Sequence, residues 1–82
     1  MTILEIREEI FKGFDYANKN NFDDPVIRLY VSNDNDIDIC KENAGFLFSM
    51  GDCVYTKLDE LVDDLCEKIE YNGFCVTNIE IE

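Results

Sequence analysis

The sequence contains no histidine, and it has only 7 Lys and Arg residues against 19 Asp and Glu. Without an imidazole, the usual catalytic base near neutral pH is missing, and no other catalytic motif is present. We therefore expect neither enzyme activity nor a cofactor. A net charge of −12 opposes direct binding to nucleic acid, because phosphate contacts require Lys and Arg. It also opposes binding to an anionic membrane surface, and no run of residues approaches the ~18 apolar residues of a membrane span.

The N-terminal stretch MTILEIREEI lacks the basic region and unbroken apolar segment of a secretory signal, which predicts a cytoplasmic protein. The four cysteines are Cys40, Cys53, Cys66 and Cys75. No two of them form the C-x-x-C pair that is typical of a zinc site, so we predict no metal site. Cys66 lies on an apolar helical stripe and is predicted to be a core thiol. Cys40 and Cys75 lie in predicted strands, and we expect the same of them.

A length of 82 residues allows one domain, residues 1–82. Thr2 and Glu5 form a capping-box pattern, and apolar residues at three- and four-residue steps then predict a first helix over about residues 3–18. Alternating segments at 26–32 and 36–40 predict a β-hairpin. Residues 45–50 read as a third strand, and residues 53–55 extend the sheet briefly.

Thr56 is the predicted N-cap of a second helix that ends at Asn72-Gly73. A last strand covers residues 74–82. It is expected to place Cys75, Thr77, Ile79 and Ile81 on one face. The order α-β-β-(β)-α-β predicts an α+β fold: a small two-layer sandwich, with both helices on one face of a mostly antiparallel sheet.

The second helix has a strongly acidic polar side. Its exposed acids are predicted to be Asp59, Glu60, Asp63, Asp64, Glu67 and Glu70. Four of them, at positions 59, 63, 67 and 70, form one stripe that runs for ~16 Å at ~1.5 Å per residue. Only Lys57 and Lys68 compensate this charge locally. Each like-charge pair at this spacing costs ~0.2–0.5 kcal/mol, so the stripe favours a role in binding over a purely solvated surface, the alternative reading.

The predicted hairpin is acidic as well. Its turn reads Asp34-Asn35-Asp36-Ile37-Asp38, which resembles the start of an EF-hand calcium loop. Ile39 replaces the glycine expected at position 6 of such a loop, and Gly45 replaces the glutamate expected at position 12. We therefore read this turn as an acidic surface with no bound metal.

Three stretches, Thr2–Tyr16, Val26–Asp36 and Lys41–Asn43, resemble small acidic phage-type anti-CRISPR proteins that inhibit type II-A CRISPR effector nucleases. The similar features are an Ile- and Glu-rich first helix, an I-R-containing strand followed by an Asn- and Asp-rich turn, and an acidic helix. The resemblance implies a DNA mimic that blocks the pocket reading the short motif beside the target. On the matching positions, it implies binding through Asp34, Asp36, Asp38 and Glu42. The four cysteines and the C-terminal strand depart from the family pattern.

The sequence thus predicts an inhibitor that mimics DNA and binds a basic nucleic-acid-binding protein, such as a CRISPR effector nuclease. The predicted partner-binding residues are Asp34, Asp36, Asp38, Glu42, Asp59, Glu60, Asp63, Asp64 and Glu67. The alternative is a non-enzymatic interaction module, with a homodimer formed through a sheet edge or an apolar sheet face. On that interpretation Phe46, Phe48, Tyr30 and Val76 cluster on the face away from the helices.

Overall fold

The structure, a computed structural model, describes residues 1–32, 36–42 and 47–82. These residues form two helices and five strands. In chain order they are α1 (Ile3–Lys19), β1 (Val26–Val31), β2 (Ile37–Glu42), β3 (Leu47–Met50), β4 (Cys53–Tyr55), α2 (Leu58–Asn72) and β5 (Val76–Ile81). The predicted α+β fold is confirmed, and the predicted third strand is present as β3, with β4 following it.

Helix α1 begins with the predicted capping box. The Thr2 hydroxyl accepts a hydrogen bond from the Glu5 amide, and the Glu5 carboxylate accepts one from the Thr2 amide. Two orphan donors of the first turn are satisfied in this way. The inner stripe of α1 is buried and consists of Ile6, Ile10, Phe14 and Ala17.

Helix α2 begins one residue later than the sequence predicts. Lys57 occupies the N-cap position and makes no side-chain capping bond, so the prediction of Thr56 as N-cap was wrong. The helix ends as predicted, because Gly73 adopts the left-handed conformation with φ 67°. Its buried residues are Leu61, Val62, Leu65, Cys66 and Ile69.

The five strands form one antiparallel sheet in the order β4-β3-β2-β1-β5. Strands β1 to β4 follow one another as a meander, and the predicted hairpin is the β1–β2 pair, with Leu29 opposite Ile37. Strand β5 does not join the end of the meander. After β4 the chain crosses the sheet through α2. Strand β5 then pairs with β1, so that β5 forms the edge opposite β4.

Both helices cover the same face of the sheet, and the core lies between the two layers. The strands contribute Ile27, Leu29, Ile37, Ile39 and Val76 to this core. Helix α1 approaches β1 closely at Gly13, where a Cβ atom would lie 2.7 Å from Cδ1 of Ile27. A side chain at that position would require the end of the Ile27 side chain to shift, so the close approach of α1 to β1 favours glycine in mid-helix.

The side-chain orientation in β5 differs from the prediction. Val76 is buried, whereas Cys75 and Thr77 are exposed. The pairing with β1 is irregular between Tyr30 and Val31, so that β5 has one extra residue there and the alternation of faces shifts. Ile79 and Ile81 face the core side as predicted.

The predicted apolar cluster on the far face of the sheet was also wrong. Phe48 packs edge-to-face on Phe14 of α1, with ring centroids 5.5 Å apart, and Val76 lies in the core. Tyr30 does lie on the far face, where its hydroxyl donates to Glu80. Phe46 lies outside the described residues.

Candidate functional site

Helix α2 presents its carboxylates on the side opposite its buried stripe. Asp59, Glu60, Asp63, Asp64, Glu67 and Glu70 are all exposed. The helix is regular over its 15 residues, so neighbouring side chains of the stripe have Cβ atoms ~5–6 Å apart. The first turn holds two acids and the last turn holds no basic residue. The acidic surface predicted from the sequence is therefore present along the length of the helix.

Two of these acids contact groups from other elements. Arg7 of α1 donates from Nη2 to Asp63, and the hydroxyl of Tyr55 in β4 donates to Oδ2 of Asp64 at 2.8 Å. The bond to Asp64 raises the pKa of Tyr55, since the phenol proton is held by a carboxylate. Local sequence reasoning missed both partners, because Arg7 lies 56 residues from Asp63 and no motif links such distant positions.

The hairpin acids differ in what they contact. Asp36 is exposed just before β2. Asp38 lies on the far face of the sheet, where Arg28 contacts both of its oxygens, Nε to Oδ1 at 2.8 Å and Nη2 to Oδ2 at 3.2 Å. The guanidinium favours the ionised carboxylate and lowers the pKa of Asp38. Asp34, another predicted binding residue, lies outside the described residues.

A cleft at one end of the sheet brings acids of the hairpin and of α2 together. Asp36, just before β2, and Asp38 within it line one side of the cleft, and Asp64 and Lys68 line it from α2. The β3–β4 turn contributes Asp52, which is not among the residues predicted to bind a partner. The cleft has a volume of about 750 Å³. Four acidic residues and one lysine thus line this cleft, with the Asp38 carboxylate paired to Arg28 and the Asp64 carboxylate accepting from Tyr55.

The remaining predicted binding residues lie away from this cleft. Glu42 is exposed at the opposite end of β2 from Asp36. Asp59 and Glu60 lie in the first turn of α2, and Glu67 lies further along its outer side. The predicted residues therefore divide between the α2 surface, the cleft and the far end of β2.

The far face of the sheet is polar. Arg28 lies opposite Asp38 on one neighbouring strand and opposite Glu80 on the other. Tyr30 donates to Oε2 of Glu80 at 2.9 Å, and this bond raises the pKa of the phenol. On this face Arg28 is thus paired with Asp38, whereas Glu80 accepts a hydrogen bond from a neutral phenol.

The four cysteines within residues 1–32, 36–42 and 47–82 are free thiols. No cluster of three or more Cys, Asp or Glu side chains there is arranged to hold a metal ion. Cys66 is buried as predicted, and burial raises the pKa of its thiol. Cys75 is exposed, so its prediction as a core thiol was wrong, and Cys40 is half-buried. Neither helix of the described chain has the length and apolar character needed to cross a membrane.

Comparison with known proteins finds no family model, no curated protein and no solved structure that matches the chain. The residues and their geometry are therefore the basis for a functional proposal.

Proposed function

We propose that this protein is an acidic inhibitor that occupies the nucleic-acid-binding cleft of a basic protein and mimics DNA there. Its most concrete form is a phage or mobile-element anti-CRISPR protein, acting in the host cytoplasm on a type II effector nuclease. The protein then acts without catalysis and without a cofactor. Carboxylates take the positions of phosphates, and Arg and Lys of the target bind them through charge-assisted hydrogen bonds.

The observation that carries this proposal is the exposed acidic side of α2, where Glu60 and Asp64 lie beside one stripe of acids. Asp59, Asp63, Glu67 and Glu70 follow one side of a regular helix, with neighbouring Cβ atoms ~5–6 Å apart over ~16 Å. One DNA strand carries a negative charge per ~3.4 Å of helix axis. The two arrays therefore have charge spacings of similar magnitude on a rigid support.

The stripe is not explained by the stability of the helix. Glu67 and Glu70 approach the C-terminal end of α2, where the helix dipole disfavours negative charge. Glu60 and Glu67 form no ion pair or side-chain hydrogen bond with any described residue. Their carboxylates are consequently available to a partner.

The proposal is tested with two variants that carry the same net charge. Glu60→Gln/Glu67→Gln removes two acids from α2, and Glu8→Gln/Asp15→Asn removes two exposed acids from α1 with the same seven-residue spacing. The assay is DNA cleavage by a purified type II CRISPR nuclease, together with binding of its guide complex to target DNA. We expect the wild type and the α1 variant to inhibit within about twofold of each other. We expect the α2 variant to need at least about tenfold more protein, a loss of ~1.4 kcal/mol.

Three results would count against the proposal in different ways. Equal inhibition by both variants would place the binding surface elsewhere, first in the cleft of Asp36, Asp38, Asp52 and Asp64. Inhibition that does not weaken with added salt would contradict an electrostatic mechanism. Absence of inhibition by the wild type would remove this nuclease class as the target.

A further inference from the structure

Strand β5 forms one edge of the sheet. It pairs with β1 on one side, and no strand of the described residues pairs with its other side. The opposite edge is β4, which has only three residues, and short edge strands are a common protection against unwanted pairing. Strand β5 has six residues. The amino group of Met1 donates to the carbonyl of Val76, so the open part of this edge lies beyond Val76.

The backbone of β5 presents hydrogen-bonding groups outward. Val26 and Glu82 exchange two backbone hydrogen bonds, of 3.1 and 2.8 Å. In an antiparallel pair such residues alternate with pairs that are not bonded to each other. By this alternation, Ile79 and Leu29 face each other without exchanging backbone hydrogen bonds, and so do Ile81 and Ile27. The amide and carbonyl groups of Ile79 and Ile81 therefore point away from β1, toward the open edge.

A groove runs along the inner side of this edge. It lies between α1 and β5 and has a volume of about 180 Å³. Gly13, Tyr16, Ile79 and Ile81 line it, with the charged Glu9 and Lys12 on its α1 side. Tyr16 is 53% exposed although it is a large apolar side chain. An added strand would alternate its side chains between this groove and the far face of the sheet.

At this edge the far face of the sheet, which points away from the helices, is acidic. Glu80 and Glu82 are exposed there, and the one basic group opposite Glu80, Arg28, contacts Asp38. Two β5 strands paired with each other would bring the glutamates of both copies onto one sheet face, which is destabilising. Each copy also carries a net charge of −12. Charge complementarity thus favours a basic strand over a second copy of the chain.

We propose that the outer edge of β5 binds an extended basic segment of a partner protein as a sixth strand. Apolar side chains of the segment enter the groove beside Tyr16, and its Lys or Arg side chains face Glu80 and Glu82. Main-chain bonds to Ile79 and Ile81 supply affinity, as in other complexes formed by strand addition. This surface differs from the α2 surface of the proposed inhibitor function, and its test uses no nuclease.

The probe is a synthetic peptide of about six residues that alternates Val and Arg, with a Val and Glu peptide as its charge control. Binding is measured by calorimetry, and amide hydrogen exchange is measured residue by residue. We expect the Arg peptide to bind and to slow exchange of the Ile79 and Ile81 amides at least tenfold. We expect no binding by the Glu peptide.

Two variants separate backbone pairing from side-chain contact. Ile81→Pro removes the outward amide at a position where an edge strand tolerates proline, and Ile81→Ala removes side-chain volume but keeps the amide. We expect the proline variant to bind the peptide at least about tenfold more weakly than the alanine variant, with the melting temperature of each confirming a folded chain. Glu60→Gln/Glu67→Gln should bind the peptide as the wild type does.

The proposal is overturned if the peptide binds without protecting the two amides, or if the α2 variant, not the proline variant, loses binding. A dimer in light scattering that Ile81→Pro dissociates would show that the edge binds a second copy instead. Equal affinity of the proline and alanine variants would exclude strand addition.

Discussion

Helices α1 and α2 cover the same face of the sheet, yet their outer surfaces differ. Helix α1 carries four acids and three bases, a net charge of −1, whereas α2 carries six acids and one lysine, a net charge of −5. Their inner surfaces are similar, because both contribute apolar residues to one core, with α1 over β1 and β5 and α2 over β3 and β4. Packing therefore constrains the inner stripes of both helices and leaves their outer faces to other requirements.

The two helices also differ in how their charged side chains are paired. Arg7 of α1 contacts Asp63 of α2, so one helix supplies a base to the other. Glu60 and Glu67 have no comparable contact within the described chain. The acids of α2 thus divide into a group that holds elements together and a group that faces solvent, and the second group is the better candidate for binding.

The largest expected effect tests whether the buried stripes of α1 and α2 contribute equally to stability. Leu65→Ala in α2 and Ile10→Ala in α1 each remove a side chain with no exposed surface. Each should lower the free energy of unfolding by ~2–5 kcal/mol, because lost burial and a residual cavity add together. Urea denaturation measures both variants. A loss below about 1 kcal/mol for one of them would contradict a core shared equally by the two helices.

A smaller effect tests whether the acids of α2 serve stability. Glu70→Lys places a positive charge in the last turn of α2, which now holds no basic residue. It should raise the free energy of unfolding by ~0.3–1 kcal/mol through the helix dipole. The matched variant Glu9→Lys lies within α1, away from both ends. Its attraction to Glu5 one turn earlier and its repulsion from Lys12 one turn later offset each other, so it should change the free energy of unfolding by less than about 0.3 kcal/mol. Destabilisation by Glu70→Lys would mean that this acid has a structural role.

The smallest effect compares a paired acid with the unpaired acids of α2. Arg28 holds the pKa of Asp38 below its ordinary value of 3.8. A lowered folded pKa adds stability that is fully present above the unfolded pKa and is lost as the pH falls through the folded one. Asp38→Asn should therefore reduce the free energy of unfolding at pH 7. In this variant the free energy of unfolding should also fall less steeply on acidification below about pH 4. Glu60→Gln serves as the control. The same pH dependence of the unfolding free energy in both variants would exclude a contribution of Asp38 to acid sensitivity.

Helix boundaries could be predicted from neighbouring residues. The capping box of Thr2 and Glu5 and the apolar steps of α1 specify that helix within one turn, and Gly73 marks the end of α2. The hairpin was predicted from the alternation around Ile27 and Ile37. Each of these features depends on contacts within a few residues, which a single sequence displays directly.

The candidate site was less predictable. Exposure of the α2 acids followed from helical periodicity. The cleft of Asp36, Asp38, Asp52 and Asp64 did not, because it requires the start of β2, the β3–β4 turn and α2 to meet. Strand pairing between distant segments determines that meeting.

Local patterns were thus sufficient for the element types, the buried helical stripes and the acidic outer side of α2. Long-range pairing determined the order β4-β3-β2-β1-β5, the inward position of Phe48 and Val76, and the contact of Arg7 with Asp63. The irregular register beside Tyr30 exposes Cys75 and Thr77. The physical reason is that strand faces alternate every residue, so one extra residue in a distant pairing reverses an orientation that sequence alternation alone would assign.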